Sequence, residues 1–265
     1  METLDKIVCI NLKERTDKYN VVKKVFEKIN LNVDFFFAEK HKTSGRIGCF
    51  ESHIEVIQQC YNNNFKNVLI FEDDVVDTPD YDEKNLQNVL LFLKNNNWCE
   101  YFQLGYTILP HEIVSYFSSN NLYRQNIIQY NGNCTHAYIL TRPGMERILH
   151  TWKTCCYEKE LDLDIYYKEI FAKHGASVCP ILFDQNFCLD NNNEKPTTSY
   201  YSIMRSVSCF QYKYSFLYVL SYIRCYIKYI VFLFLLFFCT CIVRQFPRFF
   251  EKAKLLATKN LVKIV

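Results

Sequence analysis

Residues 1–200 predict an α/β fold on two observations. Short apolar runs of strand character alternate with segments whose apolar residues recur every three or four positions. One such run, Val68 to Phe71, stops abruptly at three adjacent carboxylates, Glu72-Asp73-Asp74. Strand and helix in alternation bury their apolar faces only as helices layered on a sheet. Acidic residues at the carboxyl end of a strand lie where open α/β sheets gather their ligands.

The elements follow in order. Ile7 to Ile10 reads as a buried strand, and Val22, Val25, Phe26 and Ile29 fall at helical spacing. Val33 to Phe37 returns to strand character. Ile47, Phe50, Ile54, Ile57 and Tyr61 then mark a one-sided helix that Asn62-Asn63-Asn64 terminates. After the acidic strand end, Leu86 to Leu93 predicts a helix broken at Asn95-Asn96-Asn97. Tyr101 to Leu104 and Ala137 to Leu140 predict strands. Pro143 suits the first turn of a helix running to Trp152. A last helix is expected over Leu163 to Lys173, ended by Gly175, before a strand near Val178 to Phe183.

The net charge of +3 hides two unlike parts. Residues 1–200 carry 21 Lys and Arg against 27 Asp and Glu, whereas residues 201–265 carry 10 against 1. We therefore expect a domain at 1–200 and a hydrophobic, basic tail at 201–265. Phe216 to Val243 is almost continuously apolar, and Tyr229 to Val243 has no charge for 15 residues. Such a run is short of the ~20 residues that span a bilayer. Its basic flanks, including Lys228, Arg244, Arg248 and Lys252, fit an anionic membrane surface. The expected partner of residues 216–243 is thus a membrane surface, on the cytoplasmic face rather than outside. No nucleic-acid partner is expected.

The 13 cysteines are odd in number and scattered through apolar runs such as IVCIN. This pattern predicts buried free thiols and no structural zinc, since Cys155-Cys156 and Cys239-x-Cys241 lack ligand spacing. The N-terminus is charged and has no apolar core of the signal-peptide type. Asn133-Cys134-Thr135 matches a glycosylation sequon by chance in this reading.

With six glycines in all, the chain has no GxGxxG, no GxxxxGK[ST] and no GxSxG. Dinucleotide, P-loop and esterase-type sites therefore lack their backbone cradles. Three adjacent anions repel one another unless a cation relieves them, and a divalent metal bridging two phosphates does so. On an extended strand Glu72 and Asp74 would face one way and Asp73 the other. The alternative is a solvated acidic turn, continued by Asp77, Asp80 and Asp82.

Six blocks then carry a family resemblance: IVCINLKERTDKY at 7–19, GRIGCFESHIEVIQ at 45–58, VLIFEDDV at 68–75, AYILTRPGMERIL at 137–149, LDLDIYY at 161–167 and PILFDQNF at 180–187. In this order they resemble glycosyltransferase family 25, which includes lipooligosaccharide and collagen hydroxylysine galactosyltransferases. The resemblance implies a GT-A-like fold, a UDP-sugar donor, a divalent cation such as manganese and inversion at the anomeric carbon. It implies transfer of galactose or glucose to a hydroxyl of a glycan, glycolipid or hydroxylysine. Arg46 departs from the family, which often has Glu there.

On that reading Asp74, with Glu72, holds the metal. Asn11, Arg15, Ser52, His53, Glu72, Asp73 and Gln185 are donor-site candidates, with Lys18 beside Arg15. Asp164 is the first candidate for the general base and Asp162 the second. The alternatives are structural: Asp162 as a helix cap, Asp164 paired with Lys168, and His53 and His136 as hydrogen-bonded or loop histidines. Two rival functions use the same residues or none: a metal-dependent nucleotidyl- or phosphotransferase, and a catalytically silent membrane scaffold.

Overall fold

The computed structural model describes residues 4–119, 121–123 and 126–186. The proposed tail, and the boundary near residue 200, lie outside the described residues. Along the chain come β1 (Lys6–Leu12), α1 (Thr16–Lys28), β2 (Asp34–Ala38), α2 (Gly45–Asn62), β3 (Asn67–Glu72), β4 (Val75–Asp77) and α3 (Glu83–Asn95). Then follow β5 (Tyr101–Thr107), a 3-10 turn (Pro110–Glu112), α4 (Ile113–Ser118), β6 (Asn121–Tyr123), β7 (Ile127–Ile128) and β8 (Asn133–Thr141). The last described elements are α5 (Arg142–Lys153), a π-helical turn (Thr154–Glu158), α6 (Leu163–Ile170), β9 (Gly175–Val178) and β10 (Phe183–Gln185).

Eight strands form one mixed sheet in the order β2-β1-β3-β8-β5-β9-β7-β6. β8 and β7 run against the other six. β10 and β4 make a separate antiparallel pair. This is the α/β architecture that the alternation predicts.

Val68, Leu69, Ile70 and Phe71 in β3 are all fully buried, because helices cover both faces of the sheet. Val68 and Ile70 pack with Phe50, Ile57, Met145, Ile148 and Tyr167, from α2, α5 and α6. Leu69 and Phe71 pack with Val22, Phe26, Leu86, Val89 and Leu93, from α1 and α3. The two-residue strand period thus divides one apolar run between two cores. Burying each of these side chains contributes about 1.5–3 kcal/mol.

Helix ends explain the asparagine signals. After α1, Asn30 takes φ 53°, with Leu31 N–H bonded to Phe26 O at 3.0 Å. After α2, Asn64 takes φ 60°, with Phe65 N–H bonded to Cys60 O at 3.2 Å. Both are left-handed caps with the six-to-one bond that satisfies a terminal carbonyl. Ser44 and Asp82 cap the starts of α2 and α3 through Ile47 N–H and Asn85 N–H.

Three expectations need correction. α6 ends at Ile170 rather than near Lys173, and Gly175 opens β9 rather than ending a helix. A Cβ on Gly175 would lie 2.0 Å from Asn131 Oδ1, so close packing is what requires glycine there. The strand read over Val178 to Phe183 is two strands in different sheets, parted after Val178 by a segment containing Pro180, which has no N–H for a ladder. Among the described cysteines Cys179 is disulfide-bonded, whereas Cys9, Cys49, Cys60, Cys99, Cys134, Cys155 and Cys156 are free. The sequon residue Asn133 is buried and donates to Thr107 O and Glu112. Among the described residues no helix is long and apolar enough to cross a membrane.

The short β4, α4, β6 and β7 carry no periodic signal long enough to read. β5 departs from regular pairing around Gly105. A Cβ on Gly105 would come 2.2 Å from His136 Nε2 and 2.4 Å from Phe183 O. Gly105→Ala should therefore destabilise the domain by about 1–3 kcal/mol, as overpacking against backbone does. Each kcal/mol corresponds to roughly 2–4 °C in Tm for a domain of this size, which calorimetry reads directly. An unchanged Tm would mean that this packing is not tight.

Candidate active site

β1, β2 and β3 are parallel neighbours, so their carboxyl ends open on the same side. A cavity of about 540 Å³ lies there, walled by residues 39–45 and the first turns of α2. Glu72, Asp73, Asp74, Ser52, His53 and Gln185 line it, with Lys18 from α1. The sheet places a ligand pocket where open α/β sheets commonly place one.

The three carboxylates do different things. β3 ends at Glu72, so Asp73 and Asp74 lie in a turn and the expected alternation of faces does not extend to them. Glu72 Oε1 accepts the Thr135 hydroxyl at 2.5 Å and lies 3.5 Å from His53 Nε2. Burial works to raise the Glu72 carboxyl, but the hydrogen bond and charge of His53, with the Thr135 bond, hold it below the usual carboxylate range. His53 Nδ1 is 2.7 Å from Tyr138 OH, which is 3.4 Å from Tyr167 OH. His53 is thus a buried, bonded histidine that also lines the cavity.

Asp73 and Asp74 share Lys18. Its Nζ lies 2.8 Å from Asp73 Oδ1 and 3.6 Å from Asp74 Oδ2, and its side chain is 4% exposed. Burial works to lower the Lys18 ammonium, but the charges of Asp74 and Asp73 outweigh it and raise its pKa. Burial pushes the Asp73 carboxyl up despite Lys18. The β10–β4 pairing sets Gln185 opposite Val75, and Gln185 Nε2 donates to Asp74 Oδ2 at 3.1 Å. Asp74 Oδ1 is buried and has no hydrogen-bond partner.

That open carboxylate oxygen fits a hard divalent cation, which takes one or two carboxylates and completes its shell with water or substrate phosphate. Among the described residues no three His, Cys, Asp or Glu side chains form a metal-holding group. The fit is therefore to an open site centred on Asp74, with Glu72 turned toward β8.

Arg15, Asn11 and Asp162 lie outside the cavity lining, whereas Ser52 is part of it. Arg15 pairs with Asp17 at 2.7 Å. Asn11 is buried, donates to Leu12 O at 2.6 Å, and has an unpartnered Oδ1. Ser52 donates back to Gly48 O at 2.6 Å, one turn earlier in α2. Asp162 stands at the N-cap of α6 without a side-chain capping bond.

Asp164 does not pair with Lys168, which bonds Glu112 and Asn133 instead. Asp164 Oδ2 accepts Cys134 N–H at 3.0 Å and Oδ1 accepts Ile165 N–H at 2.8 Å. Burial raises its carboxyl; those two N–H groups oppose the rise, and Asp162 and Glu72 add to it. Cys49, exposed in the cavity, interacts electrostatically with Glu72, Asp164, Asp74 and Asp162. Burial first, and then these charges, raise the Cys49 thiol well above its usual value and disfavour a thiolate. Asp162 and Asp164 are not among the residues that line the cavity.

Arg46 donates to Cys156 O at 3.0 Å and Leu161 O at 2.8 Å. It thereby ties the start of α2 to the turn that delivers Asp162 and Asp164. His136 is buried, with neither ring nitrogen partnered. Sequence reasoning missed Thr135 and the Tyr138–Tyr167 pair, which come from β8 and α6. Those contacts span 29 or more residues and leave no local signature.

A family model described as glycosyltransferase family 25 (LPS biosynthesis protein) matches residues 37–165. Among solved structures, the chain is similar to a glycosyltransferase involved in glycosylating the major capsid of PBCV-1, at 12% identity. That alignment covers 76% of this chain and 98% of the other, with a TM-score of 0.45. It is also similar to A197 from STIV, at 9% identity, 65% and 81% coverage and a TM-score of 0.33. No curated protein matches. The stretch that matches this family model runs from the end of β2 through the acidic turn to the start of α6.

Proposed function

We propose that the chain transfers a hexose, galactose or glucose, from a UDP-sugar to an acceptor hydroxyl, with a divalent cation such as manganese and with inversion. The observation that carries this reading is the buried, unpartnered Asp74 Oδ1 in a cavity at the carboxyl ends of β1 to β3. A cation held there by Asp74 would offset charge on the departing diphosphate. Lys18 lines the same cavity, which supports a role for its ammonium in holding phosphate oxygens. Glu72, fixed by Thr135 and His53, offers its carboxylate to a ribose or sugar hydroxyl.

Asp164 acts as the base. As the acceptor oxygen bonds to the anomeric carbon, the bond to UDP breaks and UDP keeps the electron pair. The hydroxyl proton passes to the Asp164 carboxylate. The acceptor class is a glycan, glycolipid or hydroxylysine, and a UDP-release screen across UDP-sugars tests the donor.

We extend the proposal to the basic tail, which would hold the domain at an anionic membrane surface through residues 216–243. The full chain should float with phosphatidylserine-containing vesicles, and a chain truncated after residue 200 should not. Equal flotation of both would contradict this.

A further inference from the structure

Lys18 sits where the carboxylate cluster most needs a cation. It is almost fully buried, reaches Asp73 from 55 residues away, and also touches Asp74. An ammonium removed from water is costly unless anions surround it, so this placement holds only because Asp73 and Asp74 are there. Glu72 does not share it, being turned toward Thr135 and His53. The domain therefore supplies one positive charge of its own beside the oxygen left open on Asp74.

We propose that Lys18 is a resident counter-ion that makes cation binding depend on a nucleoside diphosphate. A bare divalent cation at Asp74 meets the Lys18 charge a few ångströms away and finds Asp73 already engaged. A diphosphate in the same cavity brings negative charge that Lys18 and the cation can share. Cation and diphosphate then enter as mutually dependent ligands, and each tightens the other by the same factor. Without Lys18, Asp73 and Asp74 would form an ordinary dicarboxylate site, open to the cation alone. This inference rests on the donor site proposed above but does not require sugar transfer.

The test is a manganese titration, with free ion read by electron paramagnetic resonance, of the full chain and Lys18→Met, each with and without UDP. In the wild-type chain UDP should tighten manganese binding at least tenfold. In Lys18→Met, bare manganese should bind at least tenfold more tightly than to wild type, and the tightening by UDP should fall below threefold. Unchanged bare affinity in the folded variant, or equal tightening by UDP in both chains, overturns the proposal. Should Lys18→Met fail to fold, Lys18→Gln takes its place with the same criteria, and equal manganese affinity with and without UDP in the wild-type chain overturns the proposal outright. Transfer activity is not read here, so a chain that passes this test yet transfers no sugar counts only against the glycosyltransferase reaction.

Discussion

Asp74→Asn should lower the rate of sugar transfer by at least a hundredfold while leaving the domain folded. The substitution keeps the shape of the side chain and removes only its charge. Lys18 retains Asp73 at 2.8 Å, and the asparagine carbonyl can still accept from Gln185. What is lost is the open carboxylate oxygen, the group best placed to bind a cation. Removing a single group that stabilises charge in a transition state typically costs about 10²–10³ in rate. A melting temperature close to wild type, with turnover reduced, would assign Asp74 to chemistry. A full-rate variant would remove it from the site.

Asp164→Asn should reduce kcat by about 10²–10⁴, the range for losing a positioned general base. Its pH dependence makes the assignment specific. A base must be ionised to accept a proton, so activity falls as pH drops through the Asp164 pKa. Burial raises that carboxyl above the ordinary aspartate value, so the acid limb of kcat/KM should lie above pH ~3.9. Glu72 is held in the opposite direction by His53 and Thr135 and would place its own limb lower. In Asp164→Asn the residual rate should lose that limb. If the limb persists unchanged, another group is the base; Asp162, two residues away at the N-cap, is the next to replace.

The long elements were legible because each carries its own period. The apolar run of β3 and the three-to-four spacing of α2 survive any choice of neighbours, since both faces of the sheet are covered. The asparagine stop after α2 was legible because asparagine readily takes the left-handed cap that Asn64 adopts, whereas α3 stops at Asn96 without one. Short strands such as β7, two residues long, have no period to read. In the site, the acidic turn was visible as three letters in a row, but its internal division was not. Asp73 and Asp74 turn to Lys18, and Glu72 to Thr135, through partners 55 and 63 residues distant. Arg46 looked like a departure from the family pattern; its two carbonyl partners give it a positioning task on the turn before α6.

In the proposed reaction this cavity breaks a UDP–hexose bond with Asp74 at its centre. The direct measurement is UDP release from a panel of UDP-sugars with manganese, for the wild-type chain and Asp74→Asn side by side. The wild-type chain should release UDP from UDP-galactose or UDP-glucose, and the variant at least a hundredfold less. Release from no UDP-sugar, equal rates in the two chains, or pyrophosphate formed from nucleoside triphosphates instead would contradict it.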